Sequence, residues 1–200
     1  MLVAVLSSAS LLILATLIKL NDGVTYAVLF RDPAASTDAP GYFGMFSQCG
    51  IVLWGLGVGA LLLAVLAGGS RAGFLRHSLL ITALLVTDDA FLIHEWAGDQ
   101  FGGVAEKAIF AFYGIAILSY LVIHQKEILD SHYALLLVAL CGFGGSIVVD
   151  MVPQLATIVD RDAMYFLEDG AKLVAIIFWT TYQVRNSLSS LRQPVLNLSN

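Results

Sequence analysis

Long apolar runs separated by short polar links set the pattern of this sequence. The runs cover residues 2–20, 43–67, 74–96, 104–123, 133–152 and 163–184. Each run is close to the roughly 20 residues that an α-helix needs to cross the hydrocarbon core of a bilayer. The pattern predicts an all-α polytopic membrane protein: a six-transmembrane-helix bundle over residues 1–185, followed by a polar cytoplasmic tail at 186–200.

Composition supports a membrane protein, since apolar residues make up 58% of the 200 residues and charged residues only 12%. A soluble domain of this length leaves too much surface in contact with water to hide so many apolar side chains. The sequence has no basic patch and no glycine-rich phosphate loop, so no nucleic acid is expected as a partner. The expected partner is the lipid bilayer.

Basic residues predict the orientation of the bundle. With six spans, both termini share one side with the links that carry Arg71, Arg76 and Lys126. Arg185 and Arg192 follow the last span and lie on the same side. Cytoplasmic loops carry an excess of Lys and Arg, so we expect an integral protein of the inner or plasma membrane with both termini in the cytoplasm.

Small residues predict where helices approach one another. The second run carries Gly55 and Gly59, a G-xxx-G pair that lets two helices pack closely. This face could pack within the chain or form a homo-oligomer, and the sequence leaves both open. In the fifth run, Gly142, Ser146 and Asp150 repeat every four residues, which predicts a close helix contact with a carboxylate at its outer end.

Acidic residues collect toward the outer ends of three runs, and the densest group is the stretch TDDAFLIHEWAGD at residues 87–99. An ionisable side chain in hydrocarbon is costly, so such residues are candidates for function. On a helix Asp88 and Glu95 lie within about 20° of each other, and Asp89 and His94 flank that stripe. The sequence therefore predicts an acidic face on the third helix.

A divalent cation is one way to stabilise these acids at one depth. Several carboxylates in a place of low dielectric constant need compensating positive charge, and a single lysine is too little. Carboxylate oxygens favour Ca²⁺, Mg²⁺ or Mn²⁺, whereas a histidine with two carboxylates would also suit Zn²⁺. The expected metal ligands are Asp88, His94, Glu95, Asp150 and Glu168, supported by Asp89, Asp169, Lys172, Ser146 and Tyr113.

Three functions fit this cluster, and the sequence alone leaves them open. A metal-bound water could make the protein a hydrolase of a lipid ester or amide, with no catalytic residue assigned. The same side chains would also serve a proton or cation channel or transporter. Against transport, polar residues in the inner halves are sparse and include Thr82, Tyr120 and Tyr182. The third function is a structural or partner-binding membrane subunit with a buried polar network.

Overall fold

The computed structural model describes residue 13 and residues 16–23, 44–151 and 161–197 of the chain. The chain divides into two compact units, Met1–Met45 and Phe46–Asn200. In the first unit residues 16–22 are helical, and most of the predicted span at 2–20 lies outside the described residues.

All elements of the second unit are helices, and the described residues contain no strand, which confirms the all-α prediction. Two helices are long and apolar enough to cross a membrane, and a bent pair makes a third if it counts as one span. The described residues thus give two or three candidate spans, where the sequence predicted six. The helices are α1 (Met45–Leu66), α2 (Ala72–Phe91), α3 (Ile93–Phe101), α4 (Gly103–Ile123), α5 (Gln125–Leu129), α6 (Tyr133–Met151) and α7 (Arg161–Asn197).

The two straight candidate spans, α1 and α4, keep most of their apolar side chains on the surface. On α4 the exposed residues include Ile115, Leu118 and Val122, which follow each other at helical spacing along one face. Exposed apolar side chains over a whole helix length would be costly in water and are favourable against lipid. This surface agrees with a helix that lies in a membrane.

Helix α7 packs most closely against α6 and also contacts α1 and α2. A Cβ atom added to Gly142 would lie 2.9 Å from the Cβ of Ala175, so α6 and α7 approach almost backbone to backbone. This contact confirms the close approach predicted from the small residues of the fifth run. Helix α1 contacts the same helix through Gly57, which faces Thr180.

The predicted Gly55–Gly59 face of α1 is not the face that contacts α7. Among the described residues, nothing lies within 4 Å of a Cβ added at Gly55 or Gly59. Gly57 lies about 200° from Gly55 around the helix axis, which is nearly the opposite side. Helix α7 therefore cannot contact both glycines. The G-xxx-G pair therefore makes no close contact within the described part of the chain.

The sequence predicted that the last span ends at residue 184 and that a polar tail begins at 186. In the structure helix α7 continues to Asn197. Several polar residues after residue 184 are buried, with Asn186 2% and Ser190 0% exposed. The Asn186 amide donates to the carbonyl oxygen of Tyr182 at 3.0 Å, and the Ser190 hydroxyl donates to the carbonyl oxygen of Ser70. A face of small polar residues thus packs inside the bundle, although its composition is typical of a solvated tail.

Candidate functional site

The predicted third span is broken into α2 and α3 at Leu92. Leu92 has a φ of 49°, in the left-handed region, and the two helices meet at an angle of 60°. The N–H of Leu92 still donates to the carbonyl oxygen of Asp88, which closes the last turn of α2. The chain then starts a new helix at Ile93, whose first N–H groups need acceptors outside the helix.

Asp88 supplies one of those acceptors. Its Oδ1 accepts a hydrogen bond from the backbone N–H of His94 at 3.0 Å, and its Oδ2 lies 2.7 Å from Nδ1 of the same histidine. The hydroxyl of Tyr113, on α4, lies near this carboxylate. Asp88 is only 7% exposed, so two hydrogen bonds hold the carboxylate in a nearly dry place.

These bonds fix how His94 presents its imidazole ring. Because Nδ1–H donates to the Asp88 carboxylate, the neutral ring carries its free lone pair on Nε2. Nε2 lies 3.9 Å from Oε1 of Glu95, and the ring packs on Phe110 with centroids 5.0 Å apart. Nε2 of His94 is therefore the atom that can take up a proton or bind a metal ion.

The neighbouring aspartate has a different partner. Asp89 forms an ion pair with Lys172 of α7, with the carboxylate 10% exposed and the lysine side chain 34% exposed. The sequence placed Lys172 beside Glu168, one turn earlier on the same helix. In the structure the lysine connects α7 to α2, so each of the two adjacent aspartates has its own cationic or protonatable partner.

The structure therefore brings five of the predicted site residues together and leaves the others apart. Of the remaining predicted residues, Glu95 is mostly exposed, Ser146 is buried in α6, Glu168 is half-buried and Asp169 is exposed. The Asp150 side chain lies outside the described residues. No three His, Cys, Asp or Glu side chains converge as a metal site within the described part of the chain. We call the assembled residues the acidic cluster: Asp88, Asp89, His94, Tyr113 and Lys172.

A second polar group lies toward the other end of α2 and was largely missed by the sequence reasoning. The Ser78 hydroxyl donates to the Tyr120 hydroxyl at 3.0 Å, and Trp179 Nε1 donates to Thr82 Oγ1 at 3.0 Å. The partners come from different helices and are far apart in sequence, so the sequence carries no signal that pairs them. The Ser131 hydroxyl donates to the Tyr182 hydroxyl at 3.1 Å. We call these residues the hydroxyl network: Ser78, Thr82, Tyr120, Ser131, Trp179 and Tyr182.

Comparison with known proteins gives this chain a family. The model of a domain of unknown function, DUF8692, matches residues 2–186. The chain belongs to the DUF8692 family. No curated protein and no solved structure matches it. For this DUF8692 protein, function must therefore be argued from the acidic cluster and the helices that hold it.

Proposed function

We propose that this protein is a multi-pass membrane protein that binds a proton at the acidic cluster, as the binding step of proton or cation transport. The observation that carries the proposal is the pair of hydrogen bonds that the Asp88 carboxylate accepts from His94, at 2.7 Å from Nδ1 and at 3.0 Å from the backbone N–H. These two hydrogen bonds hold the imidazole in one orientation and leave the lone pair of Nε2 available for a proton. Histidine is the side chain whose charge ordinarily changes near neutral pH.

The net charge of the cluster favours the binding of one proton over the binding of a divalent cation. With Asp88 and Asp89 ionised and Lys172 protonated, the cluster has one uncompensated negative charge. One proton on His94 would neutralise it. A divalent cation would leave the cluster with one excess positive charge unless the Glu95 carboxylate also bound it. The Glu95 side chain is 58% exposed. Its charge is therefore already solvated and needs no cation.

The membrane arrangement in this proposal has six spans, both termini in the cytoplasm and the acidic cluster toward the outside. Support comes from α1, α4 and the bent α2–α3 pair, which have the length and apolarity of spans. Helix α6 adds a shorter apolar stretch, Tyr133–Val149. The links that carry Arg71 and Lys126 are basic, which favours the cytoplasmic side for the end of the bundle opposite to the acidic cluster.

Proton uptake and proton flux test the proposal together. In nanodiscs, ¹⁵N NMR should detect a protonation step at His94 as the pH is lowered. In proteoliposomes, a pH gradient should drive proton flux that falls about 100-fold in His94→Gln. The control is His132→Gln, because His132 is exposed and lies outside the cluster. A His94 ring that does not titrate, or flux equal in wild type and His94→Gln, would overturn the proposal.

A divalent cation is the second candidate, and one specific observation favours it. A histidine that binds a metal commonly donates its other ring N–H to a carboxylate, as His94 does to Asp88. Nε2 and the Glu95 carboxylate, 3.9 Å apart, would be the two ligands. A water on that ion could then attack a lipid ester or amide.

Metal analysis separates the two candidates. The metal proposal expects stoichiometric Zn²⁺, Mn²⁺ or Ca²⁺ in the purified protein, with loss of that metal in both His94→Gln and Glu95→Gln. The proton proposal expects no such loss and expects Glu95→Gln to keep its flux. Metal that is present in equal amount in wild type and both variants would exclude these ligands.

A further inference from the structure

Helices α2 and α7 run antiparallel, and three polar contacts connect α7 to α2 and to the residues just before it. Asp89 pairs with Lys172, and two turns further along both helices Thr82 meets Trp179. Near the start of α2, Ser70 bonds to Ser190. The register set by these contacts places Gln183 opposite Ser78 and Ser187 opposite Phe74. We call the part of this interface from Ser70–Ser190 to Thr82–Trp179 the lower seam.

The lower seam contains polar atoms that are buried and lack hydrogen bonds. Both side-chain polar atoms of Gln183, Oγ of Ser187 and Nε of Arg71 have no partner among the described residues. Gln183 is 0% exposed and Ser187 is 1% exposed, so neither can reach bulk solvent. Buried polar groups in proteins are almost always satisfied by the protein or by ordered water. Something polar is therefore expected between these side chains.

The chemistry of the unsatisfied atoms selects water. Arg71 Nε and Gln183 Nε2 can only donate, Gln183 Oε1 can only accept, and the Ser187 hydroxyl can do either. An anion would satisfy the donors and leave the amide oxygen unpaired, and an apolar group would satisfy neither. A water molecule has two donors and two acceptor sites, and buried waters usually make about three hydrogen bonds.

Protonatable and hydroxyl groups continue the lower seam away from Gln183. Gln183 and Tyr182 lie beside the hydroxyl of Tyr120, which accepts a hydrogen bond from Ser78. Tyr182 in turn lies 3.1 Å from the hydroxyl of Ser131, in the link between α5 and α6. The rings of His77 and His124 pack against Tyr120, so groups that can hold a proton line this end as well.

We propose that bound water molecules fill the lower seam between Arg71 and Gln183 and join the hydroxyl network into a hydrated half-channel. The half-channel leads from the Arg71 end of the bundle to Ser78. A proton would move along it by hopping: each water or hydroxyl accepts one proton and releases another, so no bond is formed or broken overall. The role as a proton path rests on the proposed function, whereas the presence of water does not.

Water contacts test the presence of the bound water directly. In nanodiscs, NMR should show magnetisation transfer from water to the side-chain amide protons of Gln183 and to the Ser187 hydroxyl region. Thr181 provides the comparison, because its hydroxyl is bonded within α7 to the carbonyl oxygen of Ile177 and lies outside the seam. Absence of water contacts at Gln183 would overturn the half-channel, whatever His94 does.

Flux measurements test the role of that water. Gln183→Met keeps the side-chain volume and removes the hydrogen-bonding groups, so we expect proton flux to fall about tenfold while His94 titrates as in the wild type. Ser187→Ala should act in the same direction, and Thr181→Val should leave flux unchanged. Unchanged flux in both Gln183→Met and Ser187→Ala would contradict the path. A His94 that fails to titrate in the wild type would instead contradict the proposed function, which keeps the two failures distinct.

Discussion

The acidic cluster and the hydroxyl network share two helices, α2 and α7, but differ in their chemistry. The acidic cluster uses full charges, and its central bond joins Asp88 to His94, six residues away in the sequence. The hydroxyl network uses neutral groups, and its bonds join Ser78 to Tyr120 and Thr82 to Trp179, 42 and 97 residues apart. One site is therefore organised by a local helix break, and the other only by tertiary packing.

This difference has a physical consequence for function. Charged groups in a dry place hold each other tightly, because removing a partner leaves an unpaired charge. Neutral hydroxyls can exchange their partners with water at small cost. A group that binds a proton at a defined atom suits the first region, and a path along which a proton moves suits the second. Substitutions in the two regions should therefore differ in how much they destabilise the protein.

The largest effect is expected at Asp88. Asp88→Ala removes the acceptor of two His94 hydrogen bonds, and it leaves a helix N-terminus uncapped. We expect a loss of about 3 kcal/mol in the free energy of unfolding, measured by denaturant titration in mixed micelles. Asp99→Ala, an exposed acid on α3, is the control and should change little. Equal stability of both variants would show that the acidic cluster is not held as described.

A smaller loss is expected when the ion pair across α2 and α7 is broken. Lys172→Met leaves the buried Asp89 without a cation, and we expect about 2 kcal/mol, less than for a fully buried pair because Lys172 is 34% exposed. The double variant Asp89→Asn/Lys172→Met should recover most of this loss in the same denaturant titration. A double variant that is less stable than Lys172→Met would contradict the pairing.

Several features of the fold could be predicted from the sequence because each depends on nearby residues. The apolar runs predicted helices α1 and α4, and the small-residue repeat at Gly142 predicted a close helix contact, whose partner in the structure is α7. Asp88 and His94 were identified because charged groups within an apolar run are costly without a partner. Gly68 and Gly102 follow α1 and α3 with positive φ values, which is the position after a helix that glycine favours.

The remaining features depend on tertiary contacts. Nothing in the sequence LLVTDDAFLIHEW marks Leu92 as a break, because leucine is a good helix former and rarely adopts positive φ. Lys172 could pair locally with Glu168 or across helices with Asp89, and only the helix arrangement decides. The buried Gln183 and Ser187 follow Tyr182 in a stretch whose polarity resembles a solvated tail. Such residues become buried only when the register of α7 against α2 is known.

Removing one hydroxyl from the neutral region should cost less than either charge change. Tyr120→Phe keeps the ring contacts with Phe74 and His77 and removes the hydrogen bond to Ser78. We expect a loss of about 1 kcal/mol in the free energy of unfolding, since water or neighbouring hydroxyls can replace part of the bonding. Tyr133→Phe is the control, as Tyr133 is 51% exposed. A loss as large as that of Asp88→Ala would remove the distinction between the two regions.

The smallest effect, and the only gain, is expected at the helix break. Leucine at φ 49° is strained by the contact between its Cβ and the backbone, whereas glycine adopts this region freely. Leu92→Gly should therefore raise the free energy of unfolding by about 0.5 kcal/mol, the relief of strain being partly offset by lost apolar contact. Ala90→Gly, two residues earlier within α2, should instead lower it by about 1 kcal/mol. Denaturant titration of both variants gives the answer. If the two substitutions destabilise equally, Leu92 lies inside a continuous helix, and the capping of α3 by Asp88, which distinguishes the acidic cluster from the hydroxyl network, does not exist.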